Sequence, residues 1–146
     1  MGIIRVLIAD DHPLVRFAVR RCLEWEESVE VVGEASTGEE AVALARRFRP
    51  DAVLLDYQMP VLDGVAATET IAQEMPEIAI LMLTGQDDGV LEEKATRAGV
   101  HRLIRKDEPA ETLLRTLYEV LTELRQQRDD RPEIVIEPES APDRNA

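Results

Sequence analysis

The sequence predicts an α/β protein with a five-stranded parallel sheet, doubly wound, in strand order 2-1-3-4-5 with five helices. Three observations carry this prediction. Five apolar runs alternate with five stretches of helical periodicity, the pattern of repeated strand–helix units. The runs Ala52-Val53-Leu54-Leu55 and Ile78-Ala79-Ile80-Leu81-Met82-Leu83 are free of charge, as strands covered on both faces require. Right-handed crossovers leave few topologies for five such units, and 2-1-3-4-5 is the common one, with its switch point between strands 1 and 3.

Each element has a local reason. Ile3 to Ala9 forms the first buried strand. Val29 to Ala35 carries two glutamates, which suits an edge where charge discourages pairing with other chains. Arg102-Leu103-Ile104 is the weakest run and is assigned to the other edge. Pro13 stands where a first helical turn tolerates proline, and Leu14, Phe17, Ala18, Arg21, Cys22 and Trp25 follow at helical spacing. Thr37-Gly38-Glu39-Glu40 has the form of a capping box. The third helix begins near Asp63-Gly64 and stops before Pro76; the fourth follows Asp87-Asp88 and ends at Gly99. Pro109 opens the fifth, whose Leu113, Leu114, Leu117, Leu121 and Leu124 stripe is assigned to packing on the sheet. Residues 1–128 are expected to form one domain. Residues 129–146, acidic and proline-containing, are expected to be a disordered tail; Ile134-Val135-Ile136 is read as part of that unstructured extension, with strand addition to a partner as the alternative.

Charge narrows the function classes. Thirty acidic against 17 basic residues give a net charge of −13, which argues against direct binding of nucleic acid or of an anionic membrane. Cys22 is the single cysteine, so an internal disulfide is excluded and a reducing compartment fits. Met1 is followed by a strand-like run rather than a basic segment and a long apolar stretch, so the expected location is cytoplasmic.

The run ends point to chemistry. In the predicted order the C-terminal tips bring Asp10, Asp11, Asp56, Thr84 and Lys106 to one rim, although 46 residues separate Asp10 from Asp56. Each has an ordinary alternative: Asp10-Asp11 as a helix cap, Asp56 and Thr84 as turn residues, Lys106 as a solvated charge. Jointly, at successive strand ends, those alternatives weaken. Clustered carboxylates repel unless a cation joins them, and Mg²⁺ suits oxygen ligands while keeping waters exchangeable for a phosphoryl oxygen. Asp56, alone at its tip, is placed to act as a nucleophile toward phosphorus. His12, beside the acidic pair, is read as a neutral imidazole following a cap rather than a metal ligand.

From about Ile3 to Arg125 the chain resembles a response-regulator receiver domain of bacterial two-component signalling, a flavodoxin-like fold. The resemblance rests on Val6 to Pro13, on Pro50 to Pro60 with Asp63-Gly64, on Leu83-Thr84, and on Lys106. The Asp-Asp-His-Pro start and Lys106-Asp107-Glu108-Pro109 are similar to receivers that precede helix-turn-helix domains. It implies that Asp56 accepts phosphate from a sensor histidine kinase or a histidine phosphotransfer protein. It also implies that Asp11, Asp56 and the Gln58 backbone carbonyl bind Mg²⁺, with Asp10 assisting through water. Thr84 and Lys106 would sense the phosphoryl group, and Gln58 and Gln86 flank it where such positions tune hydrolysis. The resemblance leaves room for a homodimer through the fourth and fifth helices. One departure stands out: Leu103 occupies the position where the family usually has an aromatic switch residue.

The leading expectation is a single-domain phosphorylation switch that presents a binding surface to a downstream protein and catalyses only its own phosphorylation and dephosphorylation. Two alternatives are a receiver fragment of a DNA-binding transcription regulator and a phosphorylation-independent interaction domain. A phosphatase with an aspartyl nucleophile is disfavoured, because Gln58 stands where such enzymes place an acidic proton donor.

Overall fold

A computed structural model describes residues 2–59, 62–85 and 89–130. The elements are β1 (Ile4–Ala9), α1 (Pro13–Glu24), β2 (Val29–Ala35), α2 (Gly38–Phe48), β3 (Ala52–Asp56), α3 (Gly64–Glu74), β4 (Ala79–Thr84), α4 (Gly89–Ala98), β5 (Arg102–Arg105) and α5 (Ala110–Asp130). The strands form one parallel sheet in the predicted order, β2-β1-β3-β4-β5. Helix α5 continues through Asp129 and Asp130, and the Ile134-Val135-Ile136 segment lies outside the described residues.

Alternation along the strands divides the core into two layers. Leu7, Ala9, Val53, Leu55, Ile80 and Met82 pack with Ala41 and Ala45 of α2, Ala67 and Ile71 of α3, and Ala95 of α4. Ile4, Val6, Ile8, Leu54, Leu81 and Leu83 pack on the other face with Leu23 of α1 and Leu113, Leu117, Val120 and Leu121 of α5. The central strands β3 and β4 are buried at every residue. The leucine stripe of α5 is therefore used against the sheet.

Helix ends follow the sequence cues in most places. Thr37 caps α2 by accepting from Glu40 N at 3.1 Å, and Asp63 caps α3 by accepting from Ala66 N at 2.8 Å. Gly99 takes φ +115° after α4, a conformation that a side chain would strain. The end of α2 is different: Arg49 adopts φ 47° without being glycine. Arg5 offsets this by donating to the Phe48 and Arg49 carbonyls at 2.8 and 3.3 Å, a cation placed where a helix C-terminus favours one.

Two glycines set the path of the β3–α3 loop. A Cβ on Gly64 would lie 2.4 Å from the Asp56 carbonyl oxygen, and one on Gly38 would lie 1.9 Å from that of Leu62. The loop following Asp56 is thus pressed against the N-terminus of α2 and against its own strand end.

Gly38→Ala is expected to destabilise the protein by about 2 kcal/mol or more in denaturant titration. Overlap with backbone costs more than the roughly 1 kcal/mol of helix propensity that alanine adds. Gly89→Ala, where nothing lies within 4 Å of the added carbon, is expected to be neutral or to stabilise by up to about 1 kcal/mol.

Candidate functional site

The switch point between β1 and β3 lies at the carboxyl ends of the strands, where an open α/β sheet forms its crevice. Asp10 follows β1 and Asp56 ends β3, and they are 1% and 3% exposed. Burial of two carboxylates side by side needs a compensating charge. Lys106, just beyond β5, supplies part of it: its Nζ lies 3.0 Å from Asp56 Oδ1 and 3.5 Å from Asp10 Oδ2. The Lys106 main chain is fixed by donation from its N–H to the Thr84 carbonyl at 2.8 Å. A cleft of about 190 Å³ is lined by Asp56, Tyr57, Gln58, Thr84, Gly85 and Lys106. Asp11, Tyr57, Gln58, Met59 and Asp63 line an adjoining opening.

The ordinary alternatives can now be weighed. Asp10 Oδ1 accepts from His12 N at 2.8 Å, so one oxygen does organise the turn into α1. His12 itself is the N-cap, and its side chain makes no capping hydrogen bond. Three buried oxygens make no well-formed hydrogen bond: Asp56 Oδ2, Asp10 Oδ2, which meets only the Lys106 ammonium at 3.5 Å, and Asp11 Oδ1, beside the His12 ring. That arrangement is costly for a cap or a turn and suits a cation. Ligand atoms of Asp10, Asp11, His12 and Asp56 all fall within 4.8 Å of one another. Oxygen-rich, partly open and short of positive charge, the site fits Mg²⁺.

Electrostatics agree. Burial pushes the Asp56 carboxyl above the usual aspartate range, and Asp10 adds to the rise, while Lys106 and the Gln58 N–H oppose it. Burial alone would lower the Lys106 ammonium, yet its contacts with Asp56 and Asp10 outweigh that and the net shift is upward. Both shifts report a pocket that holds positive charge tightly and tolerates negative charge poorly.

Among the described residues, every site residue expected from sequence lies around this rim except Leu103. Leu103 is half-buried in β5, paired in register with Met82 and packed into the α2–α3–α4 layer. Gln86, Asp87 and Asp88 lie outside the described residues. His101 is no substitute for the missing aromatic. Its Nδ1 accepts from Ile80 N at 2.9 Å at the opposite end of the β4–β5 pair, and burial holds its pKa below the ordinary value. Tyr57 lines both openings, a placement that nothing in its sequence neighbourhood signals beyond adjacency to Asp56.

The model of the response regulator receiver domain matches residues 6–118. The chain belongs to this family. Response regulator protein VraR of Staphylococcus aureus, in strains Mu3 and NCTC 8325 alike, is 39% identical over 110 residues, which is 75% of this chain and 53% of the relative. The receiver thus spans about half the length of the curated relatives it matches. Among solved structures, the receiver domain of NarL from Mycobacterium tuberculosis is similar with a TM-score of 0.80 and 30% identity, covering 84% of this chain and 98% of that one. A LuxR-family two-component response regulator from Aurantimonas sp. SI85-9A1 has a TM-score of 0.79 and 28% identity, covering 88% and 100%. No helix among the described residues is long and apolar enough to cross a membrane.

Asp56→Asn is expected to raise the denaturation midpoint of the metal-free receiver at neutral pH. The folded-state pKa of Asp56 lies above its unfolded value, so ionising it costs stability. That cost is complete above the folded pKa and absent below the unfolded one. The advantage of the asparagine variant should therefore shrink as pH falls through the raised Asp56 pKa, measured by thermal melts across an acid series.

Proposed function

We propose that this receiver is a phosphoacceptor switch in which Asp56 takes a phosphoryl group from a histidine kinase or a histidine phosphotransfer protein. The observation that carries the reading is Asp56 itself: buried at the tip of β3, one oxygen held by Lys106, the other without a donor, on a residue that lines a cleft together with Thr84. In the transfer, a carboxylate oxygen of Asp56 forms the new O–P bond. The donor imidazole leaves with the electron pair of its P–N bond.

The chain divides the work by position. Asp10, Asp11, Asp56 and the Gln58 main-chain carbonyl would hold Mg²⁺, which when bound supplies positive charge to the phosphoryl oxygens. Lys106 orients Asp56 beforehand and afterwards pairs with a phosphoryl oxygen. The Thr84 hydroxyl, fully buried at the end of β4, donates to another. Gln58, exposed at the cleft mouth, is placed to influence the approach of hydrolytic water. Since α4 follows Thr84 and α5 follows Lys106, a shift of these two groups is transmitted to the surfaces of α4 and α5. A downstream protein reads that change. In this reading the chain is a cytoplasmic signalling switch rather than an enzyme acting on other molecules.

A second reading has a specific observation in its favour. Because the receiver spans 53% of its VraR relatives, the same phosphorylation could control an output domain of a longer regulator, with a homodimer as the active form. The phosphorylation-independent alternative gives no reason for a buried, under-compensated group of carboxylate oxygens.

Incubation with acetyl phosphate and Mg²⁺, followed by intact mass, should show one phosphoryl adduct on the wild type and none on Asp56→Asn. A folded, Mg²⁺-binding wild type that stays unmodified would refute the proposal. With beryllofluoride and Mg²⁺, amide exchange in α4 should slow or speed several-fold in the wild type and change little in Lys106→Ala.

A further inference from the structure

The receiver chemistry proposed above uses oxygen ligands alone, yet the side chain nearest the undonated carboxylates is an imidazole. His12 Nδ1 lies 2.9 Å from Asp11 Oδ1 and 3.4 Å from Asp10 Oδ1. The shorter contact does not satisfy Asp11 Oδ1, which still lacks a hydrogen-bond donor. Nor does the imidazole cap α1, although His12 occupies the N-cap position. The His12 backbone N–H already binds Asp10 Oδ1, which fixes the ring's root against the acidic pair.

These distances suit shared coordination. Donors bonded at roughly 2.1 Å to one octahedral ion stand about 3.0 Å apart when adjacent and about 4.2 Å apart when opposite. The 2.9 Å separation of His12 Nδ1 from Asp11 Oδ1 matches an adjacent edge, and the donor set, now within 4.8 Å, closes by about 0.6 Å at its widest to surround one ion. Asp56, 3% exposed and with one oxygen lacking a donor, contributes a carboxylate oxygen to the same cluster.

We propose that His12 is a metal-specificity residue: its Nδ1 adds a nitrogen ligand to the carboxylate site and biases this receiver toward first-row transition cations over Mg²⁺. The physical basis is ligand preference. Imidazole strengthens binding of Mn²⁺ slightly and of Ni²⁺ strongly, following the order of divalent affinities, whereas Mg²⁺ gains little from nitrogen. With 64% of its side chain exposed, His12 reaches the ion from the solvent side and leaves the Lys106 side free for the phosphoryl group. The inference rests on the reading of this rim as the receiver's cation site.

The test is calorimetric titration of the full chain with Mg²⁺, Mn²⁺ and Ni²⁺, in wild type, His12→Ala and His12→Gln. Loss of the imidazole should weaken Ni²⁺ binding by roughly tenfold or more and Mg²⁺ binding by less than about twofold. His12→Gln retains hydrogen-bonding capacity toward Asp11 and should not restore Ni²⁺ affinity. Pulsed electron paramagnetic resonance of the Mn²⁺-loaded wild type should show coupling to a ligand ¹⁴N that disappears in His12→Ala. Equal weakening of Mg²⁺ and Ni²⁺, rescue by glutamine, or absence of the nitrogen coupling would each overturn the proposal and leave His12 as an orienting group for Asp11. Acetyl-phosphate labelling of the wild type with Mg²⁺ is scored separately, so failure of the phosphoacceptor reading is distinguishable from failure of the His12 assignment. A wild type that binds none of the three ions would overturn both.

Discussion

The contact between Lys106 and Asp56 places one positive charge against a buried acidic rim. Two carboxylates within 4.8 Å repel by roughly 3–4 kcal/mol at an effective dielectric of 20. One ammonium stands against three carboxylates, so the rim retains an excess of negative charge. Packing alone would not keep such groups together, and the buried oxygens without donors mark how incomplete the internal compensation is. In the proposed role that deficit favours a bound cation, and the same lysine then pairs with a phosphoryl oxygen. Stability is surrendered locally for function, as is common where charge is concentrated at a site.

The sheet makes this tolerable. Asp56 ends the central strand β3, whose five residues are all buried, and Asp10 follows β1, its hydrogen-bonded neighbour. Strand β5 carries Lys106 to the same end through pairing with β4. The loop after Asp56 is clamped by two backbone contacts, at Gly38 and at Gly64, which admit no side chain. Gln58, on this clamped loop, and Asp11, after β1, line the same opening. Preorganisation of this kind lets a buried carboxylate face its reactant without a rearrangement of its own.

Leu103 bears on how the proposed switch would be transmitted. It packs among apolar side chains of the α2–α3–α4 layer and has no hydroxyl whose burial or exposure could report the state of Thr84. In the proposed switch, transmission would run through repacking beneath α4 and through the main-chain bond from Lys106 N–H to the Thr84 carbonyl. His101, the only nearby imidazole on that edge among the described residues, is committed to the Ile80 N–H.

How much of this was legible in the residues differs by the range of the interaction. Strands, helices, the Thr37 cap and the Gly99 terminus depend on near neighbours, whose periodicity and backbone preferences are written locally; they emerged where expected. The convergence of Asp10, Asp56 and Lys106 was also legible, because parallel order and strand polarity alone send those tips to one edge. The Arg49 left-handed turn was not, since Arg5, 44 residues away, helps to hold it. Nor was the close approach of Gly38 to the Leu62 carbonyl, or the turn of the His12 ring toward Asp11 rather than toward its own helix. Chain chemistry chose which groups meet at the rim. Folding chose which oxygens are left without a donor and which side chains face them, because distances of 3 Å arise from packing between distant segments that no local pattern encodes.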